Sequence, residues 1–249
     1  MSDLTEPLIL AIETATRAGS VVLTRGAEIL SFASGDASAS HSTDLIETVA
    51  GILKSARVNL SEVDLFAAAV GPGSFTGLRI GLATIKSFAV CTGRSCAGVS
   101  TLAAIAHAAG SSEHTVSLLP AGRGELFAQL FSVSDGQVRE LDTAAHLSPR
   151  AILEKYGEAR KLMWAGEGAK LHTETLRVWA KAHNIWFDVA NPDRTAWSLA
   201  PPTDQLAISI AALALNAYRN GNIVSPNELR AVYVRASDAE INEKWQREK

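Results

Sequence analysis

The chain has 249 residues, of which 47% are hydrophobic and 20% charged, and its formal net charge is -3. This composition is typical of a folded globular protein with a sizeable core and excludes a disordered chain. Proteins that bind nucleic acid by themselves usually carry a basic patch with interleaved aromatic residues, but aromatic residues make up only 6% here and no basic block is present. If nucleic acid is a ligand, another subunit is expected to bind it.

The sequence gives no sign of export or of membrane insertion. Its first residues, MSDLTEP, are acidic rather than basic, and the first apolar run is interrupted at Glu13 and Arg17. The most apolar later run, residues 206–215, is about half as long as a membrane-spanning helix. Cys91 and Cys96 form a single Cys-x4-Cys pair, which is not a zinc-site spacing, so free thiols in a cytoplasmic protein are expected.

Two stretches of the chain predict the same succession of strand, turn, strand, turn and strand. They are residues 8–33 and residues 115–141, and both contain turn glycines. This repeat predicts two similar α/β lobes, each a mixed sheet covered by helices. The lobes are expected at residues 1–108 and 109–249, joined near residues 106–113, with the last segment packing back on the first lobe.

Other elements follow each predicted meander in chain order. The first is a helix with its apolar residues on one stripe, capped by Ser42 or Thr43, and after it come a buried strand at 65–70 and a helix at 76–90. The apolar stripe consists of Leu45, Ile46, Val49, Ala50 and Leu53. The second meander precedes a helix at 149–156, a strand at 162–166, helices at 171–183 and 206–218, and a strand-like segment at 229–236.

The stretch VGPGSFTGLRIG, residues 70–81, has the most distinctive composition in the chain. It is not a phosphate-binding P-loop, because Leu78 follows Gly77 where that motif needs lysine. It also fails the dinucleotide motif Gly-x-Gly-x-x-Gly, because Thr76 occupies the third glycine position. Two interpretations stay open: free amide groups at the start of the helix bind an anion, or the glycines shape a tight turn between strand and helix.

Residues for catalysis are sparse. Leu45 stands four residues after His41, so a His-x3-His metal pair is incomplete, and no other histidine supplies the partner at that spacing. Ser74 lies outside a Gly-x-Ser-x-Gly nucleophile motif, and Ser74 and Thr76 are expected as helix caps. The sequence therefore predicts no metal, no cofactor and no catalytic residue.

The helix at 76–90 has apolar residues on more than one face, which predicts that it is covered on more than one side. Gly77 and Gly81 are four residues apart and leave a bare strip on this helix. Such a strip lets another helix approach closely. The second helix belongs either to a partner subunit or to the same chain.

The residues GPGSFTGLRIG, with ILAIETAT at 9–16 and YVRASDAE at 233–240, resemble the TsaB (YeaZ) family. The resemblance extends over nearly the whole chain. It implies a duplicated actin- and sugar-kinase-like α/β fold. It also implies a cytoplasmic, non-catalytic subunit required for threonylcarbamoyl transfer to adenosine 37 of tRNA, which binds and activates the catalytic subunit TsaD. The resemblance further implies that the ATPase TsaE joins the complex, that the isolated subunit forms a homodimer and that tRNA is contacted only through the complex.

The resemblance favours a subunit contact on the predicted helices at 41–56 and 76–90. The residues expected at this partner interface lie on those two helices and on residues 71–75, which are called the glycine loop below. They are His41, Leu45, Ile46, Val49, Leu53, Gly73, Phe75, Thr76, Gly77, Arg79, Ile80, Gly81, Ala83 and Thr84.

The chain departs from the family pattern in its second half. Where the family has Leu-Asp-Ala-Arg-Arg-Gly-Glu, residues 119–125 read Leu-Pro-Ala-Gly-Arg-Gly-Glu, so Pro120 replaces the aspartate. Glu13 stands where related kinases use an aspartate, and the facing second carboxylate is missing. The alternatives are a sugar-kinase-like phosphotransferase, which needs both carboxylates, and a metallopeptidase-like protein that has lost its metal site.

Overall fold

The computed structural model describes residues 6–35, 41–188 and 196–234. The first sheet has the strand order β3-β2-β1-β4-β5, in which the β1-β2 and β2-β3 pairs are antiparallel and the β1-β4 and β4-β5 pairs are parallel. The meander predicted at 8–33 is confirmed as β1 to β3. The strands are β1 (Leu8–Glu13), β2 (Ser20–Arg25), β3 (Glu28–Ser34), β4 (Leu65–Gly71) and β5 (Ser95–Ser100).

The second sheet repeats this pattern. Its strands are β6 (Ser112–Gly122), β7 (Glu125–Ser134), β8 (Gln137–Glu140), β9 (Ala145–Leu147), β10 (Leu162–Ala165), β11 (Phe187–Asp188) and β12 (Trp197–Leu199). Strand β6 pairs antiparallel with β7 and parallel with β10, as β1 pairs with β2 and β4. The order β8-β7-β6-β10-β12 thus matches the first sheet strand by strand, and β11 extends it. The predicted duplication is confirmed.

Seven helices and one 3-10 turn connect the described strands. They are α1 (His41–Ala56), α2 (Phe75–Thr92), α3 (Thr101–Ala109), α4 (Pro149–Tyr156), α5 (Glu167–Leu171), α6 (Thr173–Ala182), α7 (Leu206–Arg219) and the 3-10 turn Leu60–Glu62. Among the described residues, no helix combines the length and apolar character that crossing a membrane requires.

The sequence predictions and the structure differ in three places. The helix predicted at 171–183 is α6, which spans Thr173–Ala182, and the short helix α5 before it was not predicted. The strand-like segment predicted at 229–236 forms no strand over residues 229–234, and residues 235–236 lie outside the described residues. Strand β5 and helix α3 were not predicted at all.

The first sheet is buried on both faces, and β1 shows how. Because successive side chains of a strand point to opposite faces, Leu8, Leu10 and Ile12 pack with the apolar residues of α1 and α2. Ile9 and Ala11 face the other way, in a cluster with residues of α3 and α7. All six residues of β1 are buried, which accounts for its nearly continuous apolar sequence.

The two lobes exchange a helix. Helix α3 follows the first sheet but packs mainly on β6 and β7, whereas α7 follows the second sheet but packs on β1, β2, β4 and β5. The Ala207 backbone N–H at the start of α7 donates to Ser20 Oγ of β2 at 3.0 Å. One apolar cluster therefore joins both sheets. Helix α7 thus falls within the range predicted for the second lobe, 109–249, but packs on the first sheet.

The C-terminal segment, residues 222–234, also lies on the first lobe. Cys96 and Val224 exchange two backbone hydrogen bonds of 2.8 Å. Leu229 is buried in the cluster under α2, and Lys86 Nζ donates to the Leu229 carbonyl at 3.3 Å. Further on, the Val232 N–H donates to the Val70 carbonyl at 2.7 Å. The C-terminal segment thus runs from the edge strand β5 to the glycine loop.

His107, in the contact between α3 and α7, predicts a pH dependence of stability. Its Nδ1 lies 3.1 Å from Ser209 Oγ, and burial lowers the pKa of His107. Just below the ordinary histidine pKa of about 6.5, the unfolded chain therefore binds more protons than the folded chain, and stability falls as the pH falls. When the pH is lowered from about 7 to about 5, we expect the Tm of His107→Gln to fall less than the Tm of the wild type.

Thermal melts across this pH range, followed by circular dichroism, check the prediction. The exposed His114 provides the control, because His114→Gln removes a histidine without changing a buried contact. Equal slopes for His107→Gln and the wild type would contradict it.

Candidate functional site

The glycine loop and the start of α2 pack against the turn between β1 and β2. Thr14 Oγ1 donates to the Gly77 carbonyl at 2.7 Å, and the Ser74 N–H donates to the Ala15 carbonyl at 2.8 Å. A Cβ atom added to Gly77 would lie 1.9 Å from Thr14 O, and one added to Gly81 would lie 2.2 Å from Thr14 Oγ1. Glycine is needed at both positions because α2 approaches the turn of its own chain so closely.

The prediction of a bare glycine strip open to a partner helix is therefore wrong. Gly77 and Gly81 are buried in the free chain, and Thr14 occupies the space beside them. Leu45 and Val49 were expected at the same interface but are also buried, in the cluster between α1 and the first sheet. None of these four residues can contact a partner unless the first lobe rearranges.

Three amide groups at the start of α2, those of Ser74, Gly77 and Leu78, donate hydrogen bonds within the chain. Ser74 is the N-cap, as predicted: its Oγ accepts from the Gly77 N–H at 3.2 Å, and its carbonyl accepts from the Leu78 N–H at 2.8 Å. Thr76, the other predicted cap, lies inside the helix. Because the Ser74 N–H is also used, these contacts favour a structural role for the loop over anion binding.

Gly71 begins the loop and is needed for a second close approach. Its φ of +116° lies in a region that residues other than glycine rarely adopt. A Cβ atom here would lie 2.5 Å from the carbonyl oxygen of Val232. The glycine loop is thus packed between the β1-β2 turn and the C-terminal segment.

Glu13 shapes the β1-β2 turn. Its side chain is 1% exposed. Oε1 accepts from the Thr16 N–H at 2.7 Å, and Oε2 accepts from Thr16 Oγ1 at 2.6 Å. Both carboxylate oxygens therefore hold the turn that contacts α2.

The hairpin between β6 and β7 contains the departure from the family pattern. Pro120 pairs with Leu126 next to a turn in which Gly122, Arg123 and Gly124 have φ values of +81°, +55° and +77°. Glu125 Oε2 lies 2.9 Å from His146 Nε2. In the part of the chain that the structure describes, no group of three histidine, cysteine, aspartate or glutamate side chains could hold a metal ion. The side chain of His41 lies outside that part.

One face of α2 is exposed and forms a continuous surface. It consists of Thr76, Arg79, Ala83, Ser87 and Val90, which recur every three or four residues and are called the α2 ridge below. Val90 is 64% exposed, and Ile46 on the adjacent α1 is 58% exposed. Of the predicted interface residues, Thr76, Arg79 and Ala83 lie on the ridge, while Phe75 directly precedes it and Ile46 is exposed on α1. Leu53, Gly73, Ile80 and Thr84 are half-buried.

An exposed aromatic cluster adjoins the α2 ridge and was not predicted. The rings of Phe75 and Tyr233 have centroids 5.3 Å apart. The Arg79 guanidinium carbon lies 3.8 Å from the centre of the Phe75 ring. Local sequence patterns could not reveal this cluster, because Tyr233 lies far along the chain from Phe75 and Arg79.

Comparison with known proteins agrees with this architecture. Residues 34–216 match the family model described as "TsaD: tRNA N6-adenosine threonylcarbamoyltransferase". The structure "YeaZ from Pseudomonas aeruginosa" is 26% identical with a TM-score of 0.72, over 91% of this chain and 99% of that chain. The chain belongs to the TsaB/YeaZ family. Its fold is the duplicated actin- and sugar-kinase-like α/β fold that the sequence predicted.

Two further TsaB/YeaZ relatives support this assignment. A second structure, an uncharacterized protein with similarity to peptidase YEAZ from Pseudomonas aeruginosa, is 26% identical with a TM-score of 0.74, over 92% of this chain and 100% of that chain. The tRNA threonylcarbamoyladenosine biosynthesis protein TsaB of Escherichia coli (strain K12) is 30% identical over 151 residues. That match covers 59% of this chain and 65% of the E. coli protein, slightly less than two thirds of its length.

The contact of Gly81 with Thr14 predicts that a methyl group at this position destabilises the free chain. In Gly81→Ala, the new Cβ must displace Thr14 Oγ1, which donates to Gly77. We expect a lower Tm, corresponding to a loss of about 1 to 3 kcal/mol as for other overpacked sites. Thermal or denaturant unfolding of the purified variant measures the change.

Gly51 is the matched control for this substitution. It lies in α1 and is exposed, with no atom within 4 Å of an added Cβ. Gly51→Ala should keep or raise the Tm, since replacing a glycine within a helix gains up to about 1 kcal/mol. A Gly81→Ala variant as stable as Gly51→Ala would show that Thr14 does not constrain α2.

Proposed function

We propose that this chain is a non-catalytic subunit required for the synthesis of threonylcarbamoyladenosine at adenosine 37 of tRNA, and that it binds and activates a TsaD-like catalytic subunit. The observation that carries the proposal is its membership of the TsaB/YeaZ family, in which the E. coli relative is named as a protein of this pathway. The engagement of Glu13 with Thr16 supports the non-catalytic role, because both carboxylate oxygens serve the turn.

The α2 ridge, with Ile46 of α1 beside it, is the surface proposed to bind the partner. Thr76, Ala83 and Ser87 are small, so the backbone of a partner helix can pack close to α2. Val90 and Ile46 supply exposed apolar area, as the centre of an interface requires. We propose that the homodimer of the isolated chain uses the same surface and that a TsaE-like ATPase joins the complex.

In this proposal, tRNA is contacted through the complex in the cytoplasm. The net charge of -3 opposes phosphate binding by this subunit alone. The catalytic partner then provides most of the phosphate contacts. Isolated, this chain is expected to bind tRNA only in the weak non-specific range, with a Kd of about 10⁻⁴ M or above.

A long charged side chain in the middle of the α2 ridge should prevent partner binding. We expect Ala83→Arg to weaken the affinity for the purified TsaD-like protein about 10- to 100-fold, a change of about 1.4 to 3 kcal/mol. Because Ala83 is exposed, the Tm should stay at the wild-type value. The exposed Ala182 in α6 provides the matched control, Ala182→Arg. Wild-type affinity of Ala83→Arg would exclude the ridge as the interface.

The native thiols give a second measurement of the same contact. Cys91 follows Val90 and is exposed, whereas Cys96 is buried, which raises its pKa to about 11. A maleimide near neutral pH should therefore modify Cys91 and leave Cys96 intact in the folded chain. Bound partner should slow this modification, and an unchanged rate in a saturated complex would place the interface elsewhere.

Reconstitution tests the non-catalytic role against the phosphotransferase alternative. Omission of this chain from a mixture of the TsaD-like and TsaE-like proteins, tRNA and substrates should abolish formation of the modified nucleoside. The isolated chain should show no metal-dependent ATP turnover. A turnover that is lost in Glu13→Ala, or stoichiometric bound zinc or iron, would contradict the proposal.

A further inference from the structure

The C-terminal segment adds exposed apolar residues to the start of α2. The hydrogen bond from the Val232 N–H to the Val70 carbonyl holds the segment against the glycine loop. Gly71 has no side chain, which leaves room for the Val232 carbonyl. As a result, Tyr233 packs on Phe75. Phe75, Val232 and Tyr233 are 37%, 53% and 48% exposed and are called the aromatic corner below.

The aromatic corner is continuous with the α2 ridge. Phe75 directly precedes Thr76, and the guanidinium of Arg79, a ridge residue, lies over the Phe75 ring. Helix α2 therefore lies between α1 on one side and the C-terminal segment on the other, where Lys86 bonds to Leu229. Packed helices have axes about 8 to 10 Å apart, so a partner helix on the ridge reaches both neighbours of α2.

The side of α2 that faces the C-terminal segment is positively charged. Helix α2 contains no aspartate or glutamate, and Arg79 and Lys86 lie on its turns nearest this side. Arg230 in the C-terminal segment adds a third cation. Glu228 is the single acidic residue of 222–234; its carboxylate accepts from the N–H and Oγ of Ser225 and offsets part of the charge of Arg230, so Arg79 and Lys86 carry most of the positive charge on this side. A surface that matches this one must supply negative charge.

We propose that the aromatic corner, together with Arg79, Lys86 and Arg230, forms a second part of the docking surface for the TsaD-like partner. The inference depends on the proposed function and assigns a chemistry to the partner: an apolar pocket that takes Tyr233 and Phe75, with carboxylates around it. Aromatic and arginine side chains are the residues that most often anchor interfaces. The C-terminal segment thus contributes to recognition as well as covering the edge of the first sheet.

Affinity measurements with purified proteins test this inference. We expect Tyr233→Ala to weaken binding of the TsaD-like protein at least about tenfold, as for an aromatic interface anchor. The matched control is Tyr218→Ala, because Tyr218 in α7 is 39% exposed and lies away from this surface. If Tyr233→Ala has a lowered Tm, Val232→Lys tests the same corner through a different exposed side chain.

Charge reversal tests the predicted acidity of the partner. Arg79→Glu should slow association with the partner, and the difference from the wild type should shrink as salt is added. Arg139→Glu in the second lobe is the control, since Arg139 is exposed and distant in the fold. A salt-independent loss of affinity in Arg79→Glu would exclude the acidic partner surface.

The outcomes separate this inference from the proposed function. If the wild-type chain does not bind the TsaD-like protein, the proposed function fails. If Ala83→Arg loses binding while Tyr233→Ala and Arg79→Glu bind as the wild type does, the proposed function stands and the aromatic corner is excluded. If these two variants bind the partner normally but the assembled complex loses affinity for tRNA, the corner contacts RNA and the inference is overturned.

Discussion

The contact between Thr14 and the two glycines of α2 determines which face of this helix is exposed. Gly77 and Gly81 lie against Thr14, so the apolar residues on neighbouring turns, Leu78 and Ile85, point into the first lobe. The opposite side of the helix then faces solvent. The distinctive glycine motif therefore acts on the α2 ridge indirectly, by fixing the orientation of the helix that presents it.

This arrangement also explains the role of Glu13. The carboxylate of Glu13 holds Thr16 at the β1-β2 turn, and the residues between them, Thr14 and Ala15, make the contacts to the glycine loop. Glu13 thus takes part in the support of α2.

Much of the fold could be predicted because its strongest elements carry strong local signals. The two meanders alternate between apolar strands and glycine turns, and α1, α4 and α7 have regular apolar stripes. Strand β5 was missed because its sequence, SCAGVS, mixes small and polar residues. Helix α3 was missed because nine alanine-rich residues give little periodicity. Helix α5 was missed because its five residues are too few to show a helical period.

The candidate site was only partly predictable, for a different reason. The motif at residues 70–81 was recognised, but the partner of its glycines is Thr14, which is 63 residues from Gly77 in sequence. Tertiary packing decides whether such a strip is covered, and helical periodicity cannot distinguish a neighbour in the same chain from another subunit. The segment 229–234 alternates like a strand, yet it bonds to β4 through one hydrogen bond, from the Val232 N–H to the Val70 carbonyl, rather than through a ladder.

The exchange of α3 and α7 affects the point during synthesis at which the first lobe can finish folding. The first sheet is synthesised early, but the side that contains Ile9, Ala11 and Val22 is covered by α7, which begins at Leu206. At about 5 to 20 residues per second, roughly ten seconds pass between the end of α3 and the appearance of α7. During this time the nascent first lobe exposes an apolar sheet face. The amino-terminal half therefore completes its core after translation of nearly the whole chain, and the two lobes mature together.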